Sequence, residues 1–157
     1  MDVFNKTSME NVLLINCPQV LSKNRLPLGF GQEPLHLLYL CKVISDIANP
    51  VILDYTVKRY NSRELIDDLN SYKPKIVGFT FTAASYLSFK QILKDVSCVK
   101  KKNGILTVAG GVHASSLPDY LFKDNPDLDF IIFGEGEIPF RNFVNSTSNN
   151  FHKVENL

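Results

Sequence analysis

The chain has 157 residues, 45% of them apolar and 21% charged, with a net charge of +1. That is enough for one domain with its own core, and too balanced to point to a nucleic-acid or membrane-surface partner. No apolar run reaches membrane-spanning length, and Met1-Asp2-Val3-Phe4-Asn5-Lys6 lacks the basic-then-apolar order of a secretory signal. Cys17, Cys41 and Cys98 are scattered and odd in number, which argues against a disulfide framework or a close-spaced metal motif and makes the cytoplasm the expected compartment.

Val12-Leu13-Leu14-Ile15 is the first strand candidate. The connection after it, residues 16–32, is long and carries Pro18, Pro27, Gly29 and Gly31, a length that marks functional or disordered loops. Pro34 opens a helix whose stripe is Leu37, Leu40, Cys41 and Ile44. Val51-Ile52-Leu53 follows as a strand, then a helix with Ser62 as N-cap and Leu65, Ile66 and Leu69 as its apolar face. Ile76-Val77-Gly78-Phe79 leads to a helix with Phe89, Ile92, Leu93 and Val96 on one face. After Ile105-Leu106-Thr107-Val108, a brief helix is expected near Ser116 with Pro118 in its first turn. Phe130-Ile131-Ile132-Phe133 precedes a last helix, after Gly136, with Phe140, Phe143 and Val144. A polar linker, Asn145-Ser146-Thr147-Ser148-Asn149-Asn150, ends the pattern, and Phe151, Val154 and Leu157 then renew it.

The five strand candidates are continuous apolar runs, the pattern of parallel strands covered on both faces. Their alternation with helices predicts a three-layer α/β domain with an open, Rossmann-like parallel sheet. By analogy with flavodoxin-like folds the expected order is 2-1-3-4-5, with a ligand at the carboxyl ends of the strands.

Three loops at those ends hold the candidate site residues. Ala109-Gly110-Gly111-Val112-His113-Ala114 pairs two glycines where backbone can approach a ligand closely. Gly134-Glu135-Gly136-Glu137 follows the fifth strand, and Thr80, Thr82 and Ser85 follow the third. Hydroxyls and free amides at a helix start suit a phosphate, although Ser85 reads equally as an N-cap. His113 reads either as a residue facing the cleft or as a turn histidine bonded to backbone. Glu135 and Glu137 read as acids placed by a helix dipole rather than a catalytic pair. Cys17 has no sequence support as a reactive thiol.

These segments, with Val12-Leu13-Leu14-Ile15-Asn16 before Pro18, Pro34 before Leu37-Leu38-Tyr39-Leu40, and Lys73-Pro74-Lys75-Ile76-Val77-Gly78, resemble the cobalamin-binding domain at the N-terminus of many radical S-adenosylmethionine enzymes. The resemblance runs over residues 11–144. It implies that cobalamin is bound with its nucleotide tail in a cleft, and that Asn16, Thr80, Thr82, Ser85, Gly110, Gly111, His113, Ala114, Gly134, Glu135 and Gly136 form the cofactor site. It also implies a radical S-adenosylmethionine domain, in the same or a separate chain, as partner. The iron–sulfur cluster and S-adenosylmethionine would belong to that domain, which is absent here.

Two departures shape the expectation. The D-x-H-x-x-G motif of methionine-synthase-like relatives is missing, and residues 16–32 contain no histidine, so base-off, His-off binding is implied. The C-x-x-x-C-x-x-C triad is also missing, so the chain alone is expected to be catalytically inert, with residues 1–147 the binding domain and 148–157 a linker. His36 stands where relatives often carry glycine. The alternatives are a stand-alone flavodoxin-like regulatory or nucleotide-binding domain, which lacks the acidic cluster or G-x-G-x-x-G expected after strand one, and a degenerate copy that binds nothing.

Overall fold

A computed structural model describes residues 9–19 and 33–146. The expectations for Pro27, Gly29, Gly31, His152 and the apolar tail at Phe151, Val154 and Leu157 lie outside the described residues, as does most of the polar linker. Five parallel strands, β1 (Glu10–Asn16), β2 (Ala48–Asp54), β3 (Ile76–Thr80), β4 (Leu106–Gly110) and β5 (Phe130–Ile131), form one sheet in the order β2-β1-β3-β4-β5. The Rossmann-like order 2-1-3-4-5 is thus the one anticipated. The helices are α1 (Leu35–Ile44), α2 (Ser62–Tyr72), α3 (Tyr86–Asn103), α4 (Val112–Ser116), α5 (Pro118–Asp124) and α6 (Glu137–Asn145), with a single 3-10 turn at Ala83–Ser85. No described helix is long and apolar enough to cross a membrane.

Strand residues alternate between faces, so each central strand feeds two cores. Leu13 and Ile15 of β1, Val77 and Phe79 of β3, and Ala109 and Ile131 join Leu65, Leu69, Phe89, Ile92 and Val96 from α2 and α3. Val12 and Leu14 of β1, Ile76 and Val108 join Leu37 and Ile44 of α1 and Phe140, Phe143 and Val144 of α6. Burial of the branched side chains contributes roughly 1.5–3 kcal/mol each against the entropy of ordering the chain. At the far end of the second face Arg141 of α6 binds Asp46 through both guanidinium nitrogens and donates to the Val43 carbonyl, pinning α6 to the end of α1.

Several boundaries differ from the sequence reading. Asn61, not Ser62, caps α2, its Oδ1 accepting from Arg63 N at 3.0 Å and Glu64 N at 3.3 Å. Ser62 is the first helical residue. Two adjacent capping residue types leave the phase of a helix start open, and here the extended backbone of Asn61 decides it. Ser85 does not cap α3 with its side chain. It forms a reciprocal pair with Thr82, accepting from Thr82 N at 2.9 Å. The brief helix begins at Pro118, while residues 112–116 make a separate helical turn directly after Gly111. Pro50 lies inside β2, which is tolerated because β2 is an edge strand. β5 is only two residues long, and Gly134 at φ +67° turns the chain soon after it.

A buried polar network ties this short edge strand to the sheet. Thr107, with no exposed surface, donates its N–H to Asp129 Oδ2 at 2.8 Å, and its hydroxyl donates to the Asp127 carbonyl at 2.7 Å. Asp129 N donates back to Thr107 Oγ1 at 3.1 Å, and Lys100 Nζ reaches Asp129 Oδ1 at 2.7 Å. Thr107→Val removes the hydroxyl's bonds, but the Asp129 amide keeps the Thr107 carbonyl at 3.2 Å and the Asp127 carbonyl keeps Lys100 Nζ at 2.6 Å, so the expected destabilisation is about 0.5–1.5 kcal/mol. Asn61→Ala is expected to cost about 1 kcal/mol through the lost cap. Urea unfolding followed by circular dichroism reads both as lowered midpoints with unchanged slopes.

Candidate functional site

A cleft of about 290 Å³ opens at the carboxyl ends of the strands, on the face covered by α1 and α6. Its floor follows from strand register. Leu14, Gly78 and Val108 stand side by side across β1, β3 and β4, and two residues further along the same face come Asn16, Thr80 and Gly110. At Gly78 a Cβ would lie 2.7 Å from Leu14 Cδ2, so only glycine leaves the middle of the floor open without moving Leu14. One wall is α1, through His36, Leu37 and Leu40. The other is the start of α6, through Gly136, Glu137 and Phe140. The deep end is apolar, and the mouth carries Thr80, Gly110, Gly111, Gly134 and Glu135.

Of the residues singled out from sequence, Thr80, Gly110, Gly111, Gly134, Glu135 and Gly136 are brought together in this cleft. The others are placed elsewhere. Asn16 shares the Thr80 row, but its Nδ2 is spent on Asp54 Oδ1 at 3.1 Å. Thr82 and Ser85 satisfy each other, and Ser85 is buried. His113 sits on the opposite face, its ring centroid 5.7 Å from those of both Phe81 and Tyr86. Ala114 is buried in the core of that same opposite face. The reason is local. Gly111, at φ +101°, starts a helical turn, and successive residues of a helix swing to different sides.

The glycines differ in what they leave open. A Cβ at Gly110 would meet nothing within 4 Å, and one at Gly111 would come 3.4 Å from Thr80 Oγ1. At Gly136 it would lie 3.6 Å from Leu40 Cδ2, where α1 and α6 come close. Neither α1 nor α6 has a side-chain N-cap, but in α1 Leu35 N donates to the Glu33 carbonyl and Leu37 N and Leu38 N to the Pro34 carbonyl, so among the described residues it is Glu137 and Ile138 on the α6 wall that keep open first-turn amides.

Two groups at the strand ends have altered acidities. Burial pushes the Cys17 thiol well above its ordinary range, so it stays protonated, and the backbone of Cys17 is fixed by its N–H to the Thr80 carbonyl at 3.1 Å. A reactive thiol there has no support. Desolvation holds His36 below the ordinary imidazole value even though part of the residue faces solvent, and the Asp54 carboxylate acts against that shift. Among the described residues no group of three His, Cys, Asp or Glu side chains is arranged to hold a metal ion.

The apolar wall was not singled out from sequence as part of a site. Its signals were a glycine inside an otherwise branched strand, Gly78, and the Leu37–Leu40 stripe that doubles as core.

Comparison with known proteins bears on the fold and the family. The profile of the B12 binding domain family matches residues 26–144. An uncharacterized methyltransferase of Pyrococcus horikoshii is 24% identical over 87% of this chain, which covers 29% of that protein. The anaerobic magnesium-protoporphyrin IX monomethyl ester cyclase of Rubrivivax gelatinosus is 31% identical over 60% of this chain and 17% of its own length. The chain therefore spans less than a third of these curated relatives. Among solved structures, the cobalamin-dependent S-adenosylmethionine radical enzyme OxsB with aqua-cobalamin bound superposes with a TM-score of 0.73 at 20% identity, over 95% of this chain and 20% of that one. A cobalamin-binding protein from Desulfitobacterium hafniense superposes with a TM-score of 0.62 at 11% identity, over 90% of this chain and 60% of that one. These two likenesses speak to the fold, and the profile match over most of the chain speaks to kinship: the chain belongs to the B12 binding domain family.

Proposed function

We propose that the domain holds cobalamin base-off and His-off, with the nucleotide tail in the cleft between α1 and α6. The observation that carries this reading is the cleft itself, apolar at depth and lined by glycine backbone at its mouth. Its volume suits a bicyclic base and its ribose, not a corrin ring, which is left outside the cleft. Leu14, Leu37, Val108, Ile132 and Phe140 would hold the base. The Thr80 hydroxyl and the first-turn amides of α6 at Glu137 and Ile138 would meet the polar part of the tail. When bound, cobalamin supplies a cobalt centre able to carry a methyl group. The protein's own residues orient the cofactor and keep water from its base.

The His-off assignment rests on the first loop. β1 is followed by Cys17-Pro18 where a D-x-H-x-x-G segment would place an imidazole, and His113 is turned to the other face. The partner in this reading is a radical S-adenosylmethionine domain, linked or separate, which carries the iron–sulfur cluster. Cys17 is buried, Cys41 lies on α1 and Cys98 is exposed on α3 across the sheet, so these thiols do not converge on a cluster.

Gly110→Leu is expected to fill the cleft from a position with free space around its Cβ. Hydroxocobalamin retention after gel filtration should be lost while urea unfolding stays cooperative. Retention equal to wild type would overturn the cleft assignment. Gly111→Leu is the poorer probe, because its positive φ adds backbone strain. In the cob(II)alamin state the electron paramagnetic spectrum of the bound cofactor should show no axial nitrogen splitting. A resolved nitrogen splitting would overturn the base-off, His-off mode.

A further inference from the structure

Among the described residues, three ionisable side chains line the cleft: His36 on the α1 wall, and Glu135 and Glu137 on the opposite side. Among the described residues no lysine or arginine lines it. Cobalamin's connectivity runs from corrin through a phosphodiester to ribose and base. With the base in the deep apolar end, as the reading above has it, the phosphodiester falls at the mouth. There it would meet two carboxylates, and an anion so placed needs a counter-charge. Among the described residues of the lining, His36, the second residue of α1, is the side chain that can supply it. Asp54, at the end of β2, also acts on His36 and favours the protonated imidazole, while its own Oδ1 is occupied by Asn16 Nδ2, Thr56 N and Thr56 Oγ1.

We propose that His36 is the cationic partner of the phosphodiester in cobalamin's nucleotide tail, taking one proton from solvent as the cofactor binds. The inference rests on the cofactor reading above and adds a residue that lies outside the site residues implied by the family resemblance. In the free protein desolvation lowers the imidazole's affinity for a proton, with the Asp54 carboxylate acting against that shift. Binding therefore recruits a proton, and affinity falls as pH rises, by up to roughly tenfold per pH unit between the imidazole pKa of the free protein and that of the complex.

The test is calorimetric titration of the full chain with methylcobalamin at several pH values, each in two buffers of different ionisation enthalpy. Methylcobinamide, which lacks the phosphodiester and base, serves as the second ligand. Wild type should take up close to one proton per methylcobalamin at pH 7, and none with methylcobinamide. His36→Gln should bind methylcobalamin with roughly tenfold lower affinity at pH 6, and the proton uptake assigned to His36 should vanish. His36→Lys, a fixed cation, should keep the affinity without the pH dependence. Proton uptake by His36→Gln equal to wild type would overturn the proposal, as would the same His36-dependent uptake with methylcobinamide. Failure of wild type to bind methylcobalamin at any pH would instead overturn the cofactor reading, and this inference with it.

Discussion

Gly78 occupies the middle of a row that crosses the sheet from Ile52 through Leu14, Gly78 and Val108 to Phe130. Its neighbours in that row are large, and it alone has no side chain. That face of the sheet is covered by two helices, α1 over the β1–β2 side and α6 toward β4–β5, so the central strand lies beneath their junction. A side chain at Gly78 would press into Leu14, and the junction would become ordinary core. Without it, the cleft reaches from the rim down into the sheet. The glycines of the mouth would otherwise serve only a shallow groove.

The opposite face is built differently. There α2 and α3 pack along the sheet, and Phe79, Phe81 and Phe89 interlock, with Phe81 and Phe89 stacked at 4.0 Å. His113 and Tyr86 extend this aromatic cluster, and Tyr86 anchors its hydroxyl on Asp124 at 2.6 Å. The two faces thus divide the work. One supplies packing, and the other leaves a cleft between α1 and α6. Arg141 joins those helices at the end of the sheet away from the cleft, so their separation at the mouth does not depend on contacts that a ligand would have to displace.

Much of this was legible in the residues. Continuous runs such as Val12-Leu13-Leu14-Ile15 announce buried parallel strands because both faces are covered, and the helical stripes of α3 and α6 repeat at the period of a turn. Which loops meet at the cleft was also legible, through Gly110, Gly111, Gly134 and Gly136. What spacing does not reveal is direction. Thr82, Ser85, His113 and Ala114 lie within a few residues of the cleft-lining positions, yet helical turns carry them to the other face or into mutual bonds. The apolar wall was hidden for a different reason. Leu14, Leu37 and Val108 look the same in sequence whether they face another side chain or an opening. The cap of α2 was a matter of one residue, since Asn61 and Ser62 are both good capping types and only backbone conformation separates them.

The two ends of the sheet bear on how the domain behaves among its neighbours. An open sheet offers unpaired amides and carbonyls along each outer strand, and those are where chains add to one another. Here one outer strand is interrupted by Pro50, which has no amide hydrogen to lend to an incoming strand, and the other is two residues long. Neither can template an extended partner strand. Assembly with other proteins is therefore directed away from strand addition and toward side-chain contacts made at helix surfaces and at the rim, leaving the sheet a closed unit on which larger architectures can be built without risk of edge-to-edge growth.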